Sequence, residues 1–293
     1  MYNYTLTNPN ATPEARRLFD FICENYGKKI ISAVQECPGR WHEHEMRWLQ
    51  NNVGRLPAMR GLDFIHDDYD SVVRRSKEWA RHGGIVTICW HTGVSGNTYP
   101  ASKEELPDFE RLMTPGTPEY KLLMWRWDRA ANALLDLQRA NVPVLWRPFH
   151  EFDGQWFWWG KGGGEVFKEL WRMMYRRFTE YHGLNNLIWV LGYSGEVKPD
   201  WYPGDEYCDI VGSDNYDGTT NLRAWERLKK ITDKPLAFHE CGEIRPIDDF
   251  VRDGNLWSWF MNWHTMYLEQ NGAERLKEVY FDERVITFED VKL

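Results

Sequence analysis

Short apolar runs alternate with longer stretches of helical periodicity along the whole chain. The apolar runs predict eight strands, which we place at residues 29–35, 55–64, 84–91, 142–150, 186–192, 209–214, 234–240 and 256–263. Between them, amphipathic stretches predict helices at residues 13–26, 71–82, 119–140, 165–181 and 222–231. Strands that alternate with helices are typical of a parallel sheet, and eight such units predict a (β/α)8 TIM barrel.

Two segments fall outside this regular alternation. Residues 92–118 are rich in Pro, Gly, Ser and Thr and predict an extended loop after strand 3, and loops of this length usually serve a function. Residues 274–291 are expected to close the bottom of the barrel. The sequence contains no repeat, low-complexity tract or obvious linker, so a single domain is expected over residues 1–293.

The amino-acid composition limits the classes of molecule that the protein is expected to bind. The chain has 17 Trp and a net charge of −8, which argues against nucleic acid and is compatible with a neutral, flat or apolar-faced ligand. No apolar run reaches the ~18–20 residues of a membrane span. The first five residues lack a charged and then apolar leader, which predicts a cytoplasmic protein if Met1 is the native start and a secreted one if a signal peptide has been removed. Oligomeric state is not encoded locally, and a monomer is expected.

No metal or organic cofactor is expected. The five cysteines are scattered without a CxxC pair, and several lie in apolar runs, which is typical of buried free thiols. The histidines His42 and His44 and the polar run at residues 66–68 match no standard spacing of metal ligands, so a polar loop is the simpler interpretation.

The most informative segment joins a carboxylate to a cluster of aromatic residues. Glu151 follows the apolar run of strand 4, and residues 156–159 read Trp-Phe-Trp-Trp. Sugar rings stack on indoles and glycosidic bonds are cut by carboxylates, so the segment predicts glycoside chemistry. The alternative is that the tryptophans are core and Glu151 is a solvated loop acid. A second carboxylate, Glu240, ends strand 7, and barrel strands place their carboxyl ends at one mouth.

Other polar and aromatic residues end strands of the same predicted barrel. They are His91 at the end of strand 3, His150 at the end of strand 4, Asp214 at the end of strand 6 with Tyr216 just beyond it, and Trp263 at the end of strand 8. His91 could instead be a satisfied core histidine, and Tyr216 could be ordinary packing. Glu243 is an alternative to Glu240, but it lies beyond Gly242 and is expected in the loop.

The chain resembles glycoside hydrolase family 26, a family of retaining (β/α)8 hydrolases that contains β-mannanases. The resemblance covers nearly the whole chain, and its most specific part is residues 147–151 with 156–160. Residues 8–15, 56–64, 201–205 and 209–212 also resemble the family pattern. The resemblance implies a β-1,4-mannanase acting on mannan, glucomannan or manno-oligosaccharides. Mixed-linkage β-glucan and β-1,3-xylan are rival substrates, and a non-catalytic carbohydrate-binding barrel is the alternative from another class.

The resemblance also implies roles for individual residues. Glu151 matches the acid/base and Glu240 the nucleophile. The substrate-binding set comprises His91, Arg147, His150, Trp156, Asp214, Tyr216 and Trp263, with Tyr216 hydrogen-bonded to the nucleophile and Arg147 supporting the carboxylates from below. Two features depart from the pattern: Ala33 stands where glycine is expected, and His239 and Cys241 flank Glu240 without an assigned role.

Overall fold

The computed structural model describes residues 4–39 and 43–293. Eight parallel strands within these ranges form a closed barrel, in which β1 pairs with both β2 and β8. The strands are β1 Ile30–Gln35, β2 Met59–Asp63, β3 Ile85–Cys89, β4 Val144–Arg147, β5 Leu187–Tyr193, β6 Ile210–Asn215, β7 Leu236–Cys241 and β8 Trp259–Asn262. The predicted TIM barrel is confirmed, although β4 and β8 are shorter than the apolar runs that predicted them.

Twelve α-helices occur in the described ranges. They are α1 Pro13–Asn25, α2 His44–Asn52, α3 Tyr69–Arg81, α4 Tyr99–Glu104, α5 Phe109–Met113, α6 Pro118–Arg139, α7 Trp158–Lys161, α8 Gly164–Tyr175, α9 Leu222–Leu228, α10 Ile247–Asp253, α11 Met266–Glu269 and α12 Gly272–Tyr280. The Thr12 side chain caps α1 by accepting from the N–H of Ala15 at 3.2 Å, and Pro13 occupies the first turn.

The bottom of the barrel is closed from both ends of the chain. A ninth strand, β9 Val285–Ile286, pairs in parallel with Ile30 and Ile31 at the start of β1. The helix α1 lies beneath the barrel, and its buried Leu18, Phe19 and Ile22 share one apolar cluster with inward residues of the strands. Sequence analysis placed only the C-terminal segment there.

The segment predicted as an extended loop after β3 contains two short helices, α4 and α5, which sequence analysis did not predict. Its first turn is held from two sides. Arg126 of α6 donates to the carbonyl of Val94 at 2.7 Å and to that of Ser95. The Glu105 carboxylate accepts from the N–H groups of the same two residues. These contacts fix α4 against the upper rim of the barrel.

Membrane insertion through a helix is not supported by the described ranges: each helix there is too short or too polar to span a bilayer.

Candidate active site

Two carboxylates from opposite strands border the mouth of the barrel. Glu151 follows β4 in a left-handed conformation (φ 53°), and its N–H donates to the carbonyl of Gly192 at 2.8 Å. This contact ties the turn to β5. Glu240 belongs to β7 and is 2% exposed. The same hollow is lined by both residues, as sequence analysis expected from their positions at strand ends.

An irregularity in β7 turns two consecutive side chains inward. Neighbouring residues of a regular strand point to opposite faces, yet both His239 and Glu240 contact Arg147 inside the barrel. The β6–β7 register shifts between Ser213 and Asp214, and the β7–β8 register shifts between Phe238 and Cys241. Such irregularities often redirect a side chain next to a functional site.

Glu240 is held by donors on both oxygens. Arg147 Nη1 donates to Oε1 at 3.1 Å, and the Tyr216 hydroxyl donates to Oε2 at 3.0 Å. Burial raises the pKa of Glu240, whereas Arg147, His91 and Tyr216 act in the opposite direction. These three groups therefore favour the ionised carboxylate that burial alone would disfavour.

Arg147 is fully buried, and each of its three guanidinium nitrogens makes at least one hydrogen bond. Nε donates to Thr87 Oγ1 at 2.9 Å, and Nη2 donates to Gln35 Oε1 at 2.8 Å. Nη1 serves Glu240 and also His239 Nε2, at 3.0 Å. The guanidinium is therefore fixed beside Glu240, and it does not itself line the hollow, although sequence analysis placed Arg147 among the substrate-binding residues.

Glu151 has a different environment. It is half-buried, and Oε2 accepts from Trp156 Nε1 at 2.9 Å. Burial and the nearby charge of Glu240 raise the pKa of Glu151 to about 7, against a smaller lowering effect of the Trp156 hydrogen bond. Two carboxyl groups in one cleft therefore differ in character: one lies among donors, and the other retains its proton close to neutral pH.

His91 is fixed by a residue that sequence analysis did not consider. Its Nδ1 donates to Asp63 Oδ2 at 2.5 Å, and its backbone N–H donates to Asp63 Oδ1 at 3.0 Å. Burial opposes protonation of His91, but the pKa of His91 is raised by Asp63 and, to a smaller extent, by the charges of Glu240 and Glu151. Asp63 is the last residue of β2 and Glu240 the last but one of β7, so a position near a strand end was the available signal.

His150 is buried and its ring lies 4.6 Å from that of His91, in an edge-to-face arrangement. Burial lowers the pKa of His150 well below its usual value, and the charge of the neighbouring His91 adds a smaller effect in the same direction. Within the described ranges its Nδ1 has no hydrogen-bond partner. The neutral imidazole of His150 lines the hollow, but the unsatisfied Nδ1 is itself buried.

The cleft extends on both sides of the carboxylates. A hollow of about 510 Å³ lies on the β1, β2, β3 and β8 side, and one of about 740 Å³ lies on the β5 and β6 side. Glu151 and Tyr216 border both. Trp263 and Tyr99 line the smaller hollow, and Trp156 lines the larger one. Tyr99 was missed because the insertion that carries it gave no sign of a helix over the site.

Only one of the three tryptophans after Glu151 is available to a ligand. Trp156 is 39% exposed, whereas Trp158 and Trp159 are fully buried. Their indole N–H groups donate to the carbonyls of Thr92 and His150 at 2.7 and 2.9 Å, which fixes the turn that carries Glu151. Trp158 and Trp159 therefore belong to the core, whereas Trp156 is available as an aromatic platform. Glu243 is exposed and borders neither hollow.

Two groups of side chains in the site have the composition of metal ligands, namely Asp63 with Cys89 and His91, and Asp214 with His239 and Glu240. In each group a ring nitrogen is already engaged, because His91 Nδ1 donates to Asp63 and His239 Nε2 accepts from Arg147. A cationic guanidinium at that distance disfavours a metal ion in the second group. His44 contacts Glu269 at 2.5 Å, and His42 lies outside the described residues.

Comparison with known proteins places this chain in a recognised family. The family model described as glycosyl hydrolase family 26 matches residues 7–290. The chain is 32% identical to a mannan endo-1,4-β-mannosidase of Thermothelomyces thermophilus, over 99% of this chain and 64% of the relative. It is also 32% identical to mannan endo-1,4-β-mannosidase B of a Piromyces species, over 99% of this chain and 54% of that protein. The chain thus spans between half and two thirds of the length of these curated relatives.

Solved structures agree with this result. A β-mannanase from a symbiotic protist of the termite Reticulitermes speratus, in complex with a gluco-manno-oligosaccharide, superposes with a TM-score of 0.89. It is 31% identical, and the alignment covers 100% of this chain and 99% of that one. The GH26-CBM35 β-(1,4)-mannanase of Podospora anserina gives a TM-score of 0.87 at 31% identity, over 99% of this chain and 69% of that one.

Proposed function

Because this chain belongs to glycosyl hydrolase family 26, we propose that it is a β-1,4-mannanase that hydrolyses mannan, glucomannan or manno-oligosaccharides with retention of configuration. The observation that carries the proposal is the pair Glu151 and Glu240, whose environments separate an acid from a nucleophile. The names of the relatives and the gluco-manno-oligosaccharide bound to one solved neighbour support the choice of substrate.

Glu151 is the acid/base. With a pKa of about 7 it holds a proton near neutral pH and delivers it to the glycosidic oxygen as the bond breaks. Glu240, ionised between Arg147 and Tyr216, attacks the anomeric carbon and forms a glycosyl-enzyme. The leaving sugar departs through the side of the cleft that Trp156 borders.

The second step follows from the electrostatics of the first. Esterification removes the negative charge of Glu240, which is one of the groups that raise the pKa of Glu151. The pKa of Glu151 then falls, so the same carboxyl becomes a base that deprotonates the incoming water. Water attacks the anomeric carbon from the face that the leaving group vacated, and Glu240 is released as a carboxylate.

The remaining residues bind and orient the sugar. His91 and His150 present polar edges to the smaller hollow, and Trp263 forms its aromatic wall beside His91, with ring centroids 6.2 Å apart. Trp156 provides a platform on the other side and holds Glu151 through its indole N–H. Sugars stack on such rings with their apolar faces.

The test uses Glu151→Ala and Glu240→Ala beside the unaltered protein, on mannan, glucomannan, β-1,3-xylan and mixed-linkage β-glucan. We expect activity on mannan or glucomannan, its loss in Glu240→Ala, and a fall of roughly 10²–10⁴-fold in Glu151→Ala. A dinitrophenyl β-mannoside needs no protonation of its leaving group, so Glu151→Ala should still release dinitrophenol in a burst. Glu243→Ala is the matched control.

Preference for β-1,3-xylan or mixed-linkage glucan would replace the substrate and leave the residue roles intact. Binding of mannan without hydrolysis of any substrate would instead favour the non-catalytic barrel.

A further inference from the structure

His239 is a buried histidine that the mechanism above does not use. Its ring fills the interior between β5 and β6, where a Cβ on Gly192 would lie 2.5 Å from His239 Cε1 and one on Gly212 would lie 2.8 Å from its Cβ. Gly192 of β5 therefore makes room for this imidazole, whereas a Cβ on Gly212 would also meet the carbonyl oxygen of Ala237, at 2.7 Å. Glycine inside a strand weakens that strand, so an imidazole that requires one is expected to do more than fill space.

The hydrogen bonds of His239 determine its proton position. A guanidinium can only donate, so the contact from Arg147 Nη1 at 3.0 Å requires an unprotonated Nε2. The single proton of the neutral ring then lies on Nδ1, which donates to Asp214 Oδ1 at 2.6 Å. The groups that face the ring are Arg147, Asp214, Glu240, whose Oε1 lies 3.9 Å from Nδ1, and His150, with ring centroids 6.3 Å apart.

We propose that Asp214 and His239 form a positioning pair that orients Arg147 toward Glu240. Asp214 selects the Nδ1–H tautomer, and Nε2 of that tautomer engages one N–H of Arg147 Nη1. The second N–H of the same nitrogen is thereby aimed at Glu240 Oε1. The opposite tautomer would place an N–H against the guanidinium and turn it away. Asp214 is 2% exposed and acts through His239, whereas sequence analysis placed it among the substrate-binding residues.

The proposal deepens the function proposed above and rests on it for its kinetic test. His239→Leu removes the acceptor for Arg147, and His239→Gln restores one through Oε1. We expect His239→Leu to lower kcat about 10- to 100-fold, as for the loss of one hydrogen bond to a charged group, with little change in KM. The acidic limb of kcat/KM should move to higher pH, because Glu240 loses donor stabilisation. His239→Gln should recover most of both effects.

A second measurement needs no substrate. In protein labelled with ¹⁵N in its nine histidines, the His239 signals are assigned as those absent from His239→Gln, and their shifts report which nitrogen carries the proton. Protonated Nδ1 with unprotonated Nε2 supports the proposal, and the reverse overturns it. The positioning pair is also overturned if His239→Leu keeps the activity of the unaltered protein and the acidic limb of its kcat/KM profile does not move. The proposed β-mannanase function would be unaffected by that result. A folded wild type inactive on every substrate overturns the proposed function, and the tautomer then still decides the positioning pair.

Discussion

Single residues set the acid–base properties of the cleft. The pKa of about 7 at Glu151 arises from burial and from the charge of Glu240, while the Trp156 N–H stabilises the ionised form and lowers that pKa. The acid must be protonated to act, so activity on mannan is expected to decline as pH rises through about 7. Below that range Glu151 stays protonated, and the ionisation of Glu240 limits activity instead.

Trp156→Phe keeps an aromatic ring and removes the indole N–H. Loss of that hydrogen bond to the carboxylate raises the pKa of Glu151, so the alkaline limb of kcat/KM should move upward. We expect a fall of about 2- to 10-fold in kcat/KM at the optimum, as for one ordinary hydrogen bond. The pH profile on mannan checks this, with Trp125→Phe, 52% exposed on α6, as control. A downward or unmoved alkaline limb would contradict the role of the indole N–H.

Gly154 determines where the Trp156 ring lies. A Cβ at this position would be 2.0 Å from Cζ3 of the indole, so Gly154→Ala must displace the ring and its hydrogen bond. We expect kcat/KM to fall by up to about 10²-fold, as for a misplaced catalytic contact, while the barrel stays folded. Gly96→Ala is the matched control, since a Cβ there meets nothing within 4 Å. Equal activities of the two variants would show that the ring position is unimportant.

At the scale of elements, sequence analysis succeeded where periodicity was long and the caps were clear. The helices α1, α3 and α6 follow their predicted ranges within two residues, because each has a long apolar stripe. The short helices α2 and α10 were missed because seven to nine residues contain little periodicity. His239 had no local signal, since the register shifts that turn it inward arise from pairing with strands distant in sequence. Glu151 and Glu240 were found because strand ends are visible in the pattern.

The order of the insertion after β3 depends in part on a side chain of the neighbouring helix α6. Arg126 contacts the carbonyls of Val94 and Ser95, and the segment that follows carries Tyr99 into the smaller hollow. Arg126→Met would leave these acceptors without their donor, at a cost of about 1–3 kcal/mol. We expect faster amide hydrogen exchange at residues 93–105 and a raised KM, with a smaller change in kcat.

Hydrogen exchange read by mass spectrometry, together with kinetics on mannan, checks this expectation. Arg139→Met on the same helix is the control, because the Arg139 side chain is 72% exposed and contacts only Asp136, at 3.7 Å, among the ion pairs of the described residues. If exchange at residues 93–105 were unchanged in Arg126→Met, the insertion would owe its order to other contacts.

At the scale of the whole molecule, the apolar packing and the polar groups of the candidate site lie at opposite ends of the barrel. Its lower end is filled by α1 and by apolar strand residues, and its upper end carries the buried polar groups that contact one another around Arg147. The cleft at that end has space on both sides of Glu151, with hollows of about 510 and 740 Å³. Under the proposed function, a polysaccharide bound there would continue in both directions from the scissile bond.

This geometry predicts cleavage of internal bonds. On soluble mannan, viscosity should fall steeply while few reducing ends have formed, and manno-oligosaccharides of mixed length should appear first. Glu240→Ala should leave viscosity unchanged, which controls for contaminating activity. The insertion after β3 motivates the opposite expectation, in which α4 closes one end of the cleft and sugars leave from chain ends. Slow loss of viscosity with a single short product would establish that outcome, and Tyr99→Ala should then shift the products toward longer oligosaccharides, because its ring walls the smaller hollow.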